Sequence, residues 1–220
     1  MLSRIASTVL PVLGGLTLST DPHADLAPGS ILAANHTSLV DPVIVLAALH
    51  RLGVRPVVMA TAGLWRVPVL RRALEREGHI AVHRGSSRAS EALTGAAAAL
   101  AAGRLVLIYG EGGLPRRRDA GEAVPGAFRS GLSRLAQETG APVVPLGQAG
   151  ARRLSSGSTA KQLAGLATAP LRRPGCHVHV GAPVRLTGDV AAATATAHQA
   201  VTDAWRTAAE RLGERLGEWH

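Results

Sequence analysis

The run Asn35-His36-Thr37-Ser38-Leu39-Val40-Asp41-Pro42 sets an imidazole and a carboxylate five residues apart, directly after an apolar strand-like segment. Histidine titrates near neutral pH. A carboxylate on its Nδ1 fixes the tautomer and stabilises the imidazolium, which leaves Nε2 as a general base. Such a pair needs no protein nucleophile, because it takes a proton straight from a substrate hydroxyl. His36 and Asp41 are therefore the candidate catalytic residues. On spacing alone, a packed histidine beside a helix-capping aspartate fits as well. His177 and His179 alternate on a strand-like run and share one face. No acidic or cysteine partner stands at ligand spacing, so they read as surface histidines and no metal site is expected. Cys176, the single cysteine, reads as a small buried hydrophobe.

These residues need a frame, and the chain supplies alternating strand-like and helix-like segments. Strands are expected at Ser30–Ala34, Arg55–Ala60, His79–His83, Arg104–Tyr109, Pro142–Leu146 and Cys176–Val180. Helices are expected at Leu2–Leu13, from Asp41 to about Leu52, Leu64–Arg76 with a break near Pro68, Ser87–Ala102, Gly126–Thr139 and Val190–Leu216. Asp41 reads as an N-cap with Pro42 at the first helical position. The stretch Ser155–Ala169 is ambiguous between helix and loop. The alternation predicts an α/β fold, a mostly parallel central sheet covered by helices on both faces. A strand exit leading into a helix N-terminus is where such folds place reactive groups. No linker divides the chain, so residues 1–220 read as one domain with a short apolar N-terminal segment at about 1–13.

Composition narrows the function further. Hydrophobic residues at 46% and charged residues at 18% exclude a disordered chain. One cysteine excludes a disulfide framework and a cysteine-rich zinc site. Trp65, Tyr109, Phe128, Trp205 and Trp219 are the only aromatic residues, too few for base stacking on single-stranded nucleic acid. The net charge is +9, and Lys161 is the only lysine. Arginine-rich coding bias accounts for part of that charge. The rest points to a polyanionic partner: anionic lipid headgroups, nucleic acid or an acidic carrier protein. The arginines are scattered and no recognition motif accompanies them, so nucleic acid is not expected. No run reaches the ~20 apolar residues of a membrane-spanning helix. The apolar N-terminal helix is expected to lie on the core. The basic amphipathic Leu64–Arg76 segment suits an anionic interface or a carrier protein.

Four blocks in order resemble the glycerolipid acyltransferase family, the bacterial 1-acyl-glycerol-3-phosphate acyltransferases and their relatives. Asn35-His36-x4-Asp41 matches the family's Asn-His-x4-Asp motif, including Ser38 and Pro42. Gly78-His79-Ile80-Ala81-Val82-His83-Arg84 is similar to a second block, Gly-x-Ile-x-Val-Asp-Arg. Tyr109-Gly110-Glu111-Gly112-Gly113-Leu114 is similar to a third, Phe-Pro-Glu-Gly-Thr-Arg. Ala141-Pro142-Val143-Val144-Pro145-Leu146 matches the apolar fourth. Together they cover roughly residues 30–150. The resemblance implies that His36 is the base and Asp41 orients it. The acceptor hydroxyl then attacks a thioester of coenzyme A or acyl carrier protein, with no acyl-enzyme and no other cofactor. It places Asn35, Ser38, Arg84, Glu111, Gly112 and Gly113 at the substrates. Backbone N–H groups of Glu111-Gly112-Gly113 become candidates for the oxyanion, and Arg84 for an acceptor phosphate. The implied acceptor is a lysophospholipid, and the implied location is cytoplasmic, peripheral on the inner face of the cell membrane.

The departures fall in the third block and just beyond it. Leu114 stands where the family places a phosphate-binding arginine, Gly110 where it places proline, and Gly113 where it places threonine. His83 replaces the acidic residue before Arg84, and Val124-Pro125 replace a basic residue before Gly126-Ala127. Two cationic anchors for phosphate are missing, and the Arg116–Arg118 run is the candidate substitute. The alternatives are acyl transfer to a non-phosphorylated hydroxyl or amine, and a catalytically weak lipid- or carrier-binding protein on the same fold.

Overall fold

The computed structural model describes residues 2–83, 89–114 and 121–213. Seven strands form one sheet in the order β1-β7-β6-β2-β5-β3-β4. They are β1 (Gly15–Thr20), β2 (Ile31–Ala34), β3 (Val57–Thr61), β4 (Ile80–Val82), β5 (Val106–Tyr109), β6 (Val143–Ala149) and β7 (Gly175–Val180). Every neighbouring pair is parallel except β6 and β7.

The central strand β2 is buried along its whole length, as its unbroken apolar sequence requires of a strand covered on both sides. Its side chains alternate between two cores. Leu32 and Ala34 face a cluster built with α1 (Leu2–Leu13), α2 (Asp41–Arg51), α6 (Ala151–Leu154) and α7 (Thr159–Arg172). Ile31 and Ala33 face a second cluster built with α4 (Ala89–Ala101), α5 (Gly131–Thr139) and α8 (Val190–Arg211). Helices thus cover both faces, as expected. A 3-10 turn at Ala62–Arg66 precedes α3 (Pro68–Arg76), so the expected break falls at Pro68. Among the described residues no helix is long and apolar enough to cross a membrane. Helix α1 lies on the core through Ser3, Ala6 and Leu10, while Ile5, Val9 and Val12 stay exposed.

Several expectations are corrected. Gly126–Ser130 is not helical, and α5 begins only at Gly131. Strand β6 runs on to Ala149, past the expected end at Leu146. Within the ambiguous Ser155–Ala169 stretch, helix α7 begins at Thr159 and runs on to Arg172. Strand β1 was not anticipated, and neither was the short α6. The clearest reversal concerns His177 and His179, which are buried rather than on the surface. Parallel pairing sets Thr17 opposite His177 and Ser19 opposite His179. Thr17 Oγ1 meets His177 Nδ1 at 2.7 Å, and Ser19 Oγ meets His177 Nε2 at 2.8 Å and His179 Nδ1 at 2.9 Å. His179 Nε2 reaches Asp21 at 3.2 Å. Hydroxyls on an edge strand satisfy the imidazoles, which is how two histidines remain buried. Burial lowers the pKa of His177, with His179 and Arg211 adding to the effect.

Candidate active site

The chain leaves β2 at Ala34 and reaches α2 through the loop Asn35–Val40. Val40, not Asp41, is the N-cap residue, and its side chain makes no capping bond. Asp41 is the first helical residue, and its carboxylate turns back into the loop. Oδ2 accepts from His36 Nδ1 at 2.9 Å, from the Thr37 N–H at 2.5 Å and from the Ser38 N–H at 2.9 Å. Oδ1 accepts from Thr37 Oγ1 at 3.4 Å. Asp41 is fully buried and the His36 side chain is 15% exposed. A carboxylate only accepts, so Nδ1 carries the proton and Nε2 of the neutral ring keeps its lone pair. Among the described residues nothing hydrogen-bonds Nε2.

The loop is held from β6 and α6. Asn35 is fully buried, and its amide bonds twice to one residue: Nδ2 donates to Gln148 O at 3.0 Å, and Oδ1 accepts from Gln148 N at 2.8 Å. Gln148 Nε2 donates to Thr37 Oγ1 at 3.1 Å. The buried Arg152 donates to Thr37 O at 3.2 Å, and Ser38 Oγ donates to Ser155 O at 2.7 Å. Asn35 and Ser38 were expected at the substrate. The polar groups of both are engaged in tying the loop to Gln148 and Ser155.

The second wall is the turn after β5. Tyr109 stacks on His36 with ring centroids 4.5 Å apart and a tilt of 33°. Glu111 Oε1 accepts from the His36 N–H at 3.2 Å. Burial raises the Glu111 pKa to about 8, and Asp41 adds to the rise. The N–H groups of His36 and Gly126 oppose it only in part. The Glu111 carboxyl is therefore mostly protonated at neutral pH. The Gly112 N–H donates to Tyr109 O at 3.1 Å, which removes it from the oxyanion candidates. The N–H groups of Glu111 and Gly113 have no backbone acceptor among the described residues. Gly112 adopts φ +66°, a conformation that favours glycine.

Sequence reasoning missed what braces this turn. Segment 125–129 lies across it. A Cβ at Gly110 would fall 2.3 Å from the Phe128 ring, so the family's proline has no room here. His198 of α8 bonds Pro125 O through Nε2 at 3.0 Å and meets the Phe128 ring edge-on at 5.1 Å. Glu122 accepts from the Gly150 N–H at 2.8 Å and from Trp205 Nε1 at 3.2 Å. Gln148, Arg152, Glu122 and His198 carry no local signal, because their partners are distant in sequence. Arg84 and the Arg116–Arg118 run lie outside the described residues. Leu114 is 39% exposed. Among the described residues no group of histidine, cysteine or acidic side chains is placed to hold a metal ion.

A family model described as Acyltransferase matches residues 18–148. Among solved structures, the fold is similar to that of the 1-acyl-sn-glycerophosphate (LPA) acyltransferase PlsC from Thermotoga maritima. That match has a TM-score of 0.71 at 17% identity, and it covers 100% of this chain and 80% of that one. No curated protein sequence matches the chain.

Proposed function

Because the chain belongs to the Acyltransferase family, we propose that it moves an acyl group from a thioester to the hydroxyl of a lysophospholipid such as 1-acyl-glycerol-3-phosphate, with His36 as general base and Asp41 as its orienter. The donor is acyl-CoA or acyl carrier protein. The observation that carries this reading is the His36–Asp41 pair past the C-terminal end of central strand β2, its Nδ1 bond made and its Nε2 unengaged. Nε2 takes the acceptor hydroxyl proton as that oxygen attacks the thioester carbonyl. A C–O bond forms and a tetrahedral oxyanion appears. Collapse breaks the C–S bond, and the imidazolium returns its proton to the departing sulfur. The Glu111 and Gly113 N–H groups and the protonated Glu111 carboxyl are the donors on hand for the oxyanion. A thioester is already activated, so positioning and deprotonation supply much of the rate.

The exposed basic face of α3 and of the 3-10 turn before it supports a peripheral position on an anionic membrane. Val67, Val69 and Leu70 are exposed beside Arg66, Arg71 and Arg72. Leu114, at the position where the resemblance expects an arginine, favours a second reading, acyl transfer to a non-phosphorylated hydroxyl or amine.

Wild type and His36→Ala should be incubated with acyl-CoA and acyl carrier protein thioesters and with lysophosphatidate, monoacylglycerol and amine acceptors. Acyl products are then followed by mass spectrometry. Transfer to lysophosphatidate that vanishes in His36→Ala supports the proposal. Transfer only to non-phosphorylated acceptors supports the second reading. Transfer that survives in His36→Ala overturns the assignment of the base.

A further inference from the structure

We propose that Arg129 is the cation that recognises the acceptor's phosphate, in place of the arginine missing at Leu114; this rests on the acyl-transfer reading above. In sequence Arg129 sits fifteen positions past Leu114 and belongs to no block that points to phosphate. The fold brings it to the turn all the same. Its backbone N–H donates to Gly110 O at 2.9 Å. Its side chain then crosses the turn: a Cβ at Gly112 would fall 2.7 Å from Arg129 Cδ and 3.1 Å from Nε. Glu111 lies on the same strip, its Cγ 3.8 Å from where a Cβ at Gly126 would stand. Residues 126–129 therefore lie along Gly110-Glu111-Gly112, and Glu111 in turn touches the His36 N–H at 3.2 Å. The guanidinium stem rests on the turn that forms the wall beside the base.

Two features suit this arginine to binding an anion. Among the described residues no ion pair includes it, and it is exposed. Its backbone is also fixed. Phe128 fills the space over Gly110, and His198 grips Pro125 O and the Phe128 ring from α8. A guanidinium on a fixed stem binds phosphate through two parallel N–H bonds with less ordering cost than one on a free loop. Burial raises the pKa of the Glu111 carboxyl on this turn, which weakens the repulsion an ionised carboxylate would exert on a phosphate. The chemical class that fits is a phosphomonoester on a hydroxyl-bearing acceptor.

Arg129→Met keeps the aliphatic stem over Gly112 and removes the charge. Steady-state kinetics with 1-acyl-glycerol 3-phosphate and with monoacylglycerol, at varied thioester, separate the roles. The expected result is a rise of about tenfold or more in the phosphate acceptor's KM, with the thioester KM and the monoacylglycerol rate unchanged, and an intermediate value for Arg129→Lys. An unchanged phosphate-acceptor KM, or equal losses on both acceptors, overturns the proposal. Calorimetric binding of a short-chain 1-acyl-glycerol 3-phosphate without thioester gives a readout independent of turnover. Affinity about tenfold weaker in Arg129→Met supports the proposal, and equal affinity, or no binding to wild type, overturns it. A wild type that transfers nothing overturns the acyl-transfer reading, and the calorimetry still decides the fate of Arg129.

Discussion

Replacing Glu111 by glutamine should stabilise the protein in mild alkali and leave its stability in acid nearly unchanged. Burial lifts the Glu111 carboxyl from the ordinary 4.5 to about 8, with help from Asp41. Between those values the folded protein keeps a proton that the unfolded chain has released. The contribution to stability is full below 4.5, falls as pH rises through the window, and is gone above about 8. At about 1.4 kcal/mol per pH unit, ionising this carboxyl in place is unfavourable by at most on the order of 5 kcal/mol. Glu111 is only partly buried, so solvent screening leaves a difference of about 2–3 kcal/mol as the expected size. Glutamine keeps an oxygen for the His36 N–H, now accepted by Oε1 at 3.2 Å, and carries no charge at any pH. Urea unfolding of both proteins near pH 5 and near pH 9, extrapolated linearly to water, measures the effect. The curves should coincide in acid and separate in alkali, with the variant more stable. The comparison cancels every other titrating group, including the buried histidines. A constant offset between the two proteins across the range, or a variant that loses stability in alkali, would refute a neutral carboxyl beside His36.

Two other perturbations test the frame of the site. Asp41→Asn turns an amide toward donors that now share Oδ2, namely His36 Nδ1 and the Thr37 and Ser38 N–H groups. It should lower kcat about 10²–10⁴-fold with little change in the thioester KM; a kcat within tenfold of wild type removes Asp41 from its orienting role. Gly110→Ala drives a methyl group into the Phe128 ring, 2.3 Å away, and should cost about 1–3 kcal/mol. In a double-mutant cycle Phe128→Ala should relieve most of that loss, and strict additivity of the two changes in thermal unfolding would show that the ring does not occupy the space.

The fold was legible where both sheet faces are buried. Ser30–Ala34 and Arg104–Tyr109 read as strands because parallel central strands are apolar at every position, and they are β2 and β5. Helix α1 was legible from end to end because its apolar positions continue until Gly14 stops it. Strand β1 was not, because Thr17 and Ser19 look solvent-facing in sequence. They pair with imidazoles that also looked solvent-facing, so each half of the polar contact disguised the other. The same limit shaped the site. His36 and Asp41 meet within one loop, so their spacing carried the contact. Asn35 meets Gln148 across 113 positions, and nothing near Asn35 announces that its amide is already taken. Gly126–Ser130 looked like a first helical turn. The segment is instead drawn out over Gly110 and Gly112 because those glycines leave room for Phe128 and Arg129.

That last contact bears on whether the altered third block marks a site in decay. A turn that merely lost its proline and its arginine would be left open, with no reason for neighbouring side chains to fill it. Here the space beside Gly110 is filled by an aromatic ring, and the ring is itself held edge-on by His198 from another helix. A guanidinium stem lies over Gly112, on the residue next to the glutamate that touches the His36 backbone. The turn keeps its shape through packing from outside rather than through its own proline. A positive charge stands at its edge, although none stands at Leu114. The His36–Asp41 pair beside it keeps its hydrogen bonds in full. A protein that only bound lipid or a carrier would need neither the buried carboxylate behind the imidazole nor a braced turn in front of it. The departures therefore read as parts that have moved around an intact His36–Asp41 pair, and the phosphate-acceptor kinetics of Arg129→Met are the measurement on which that reading stands or falls.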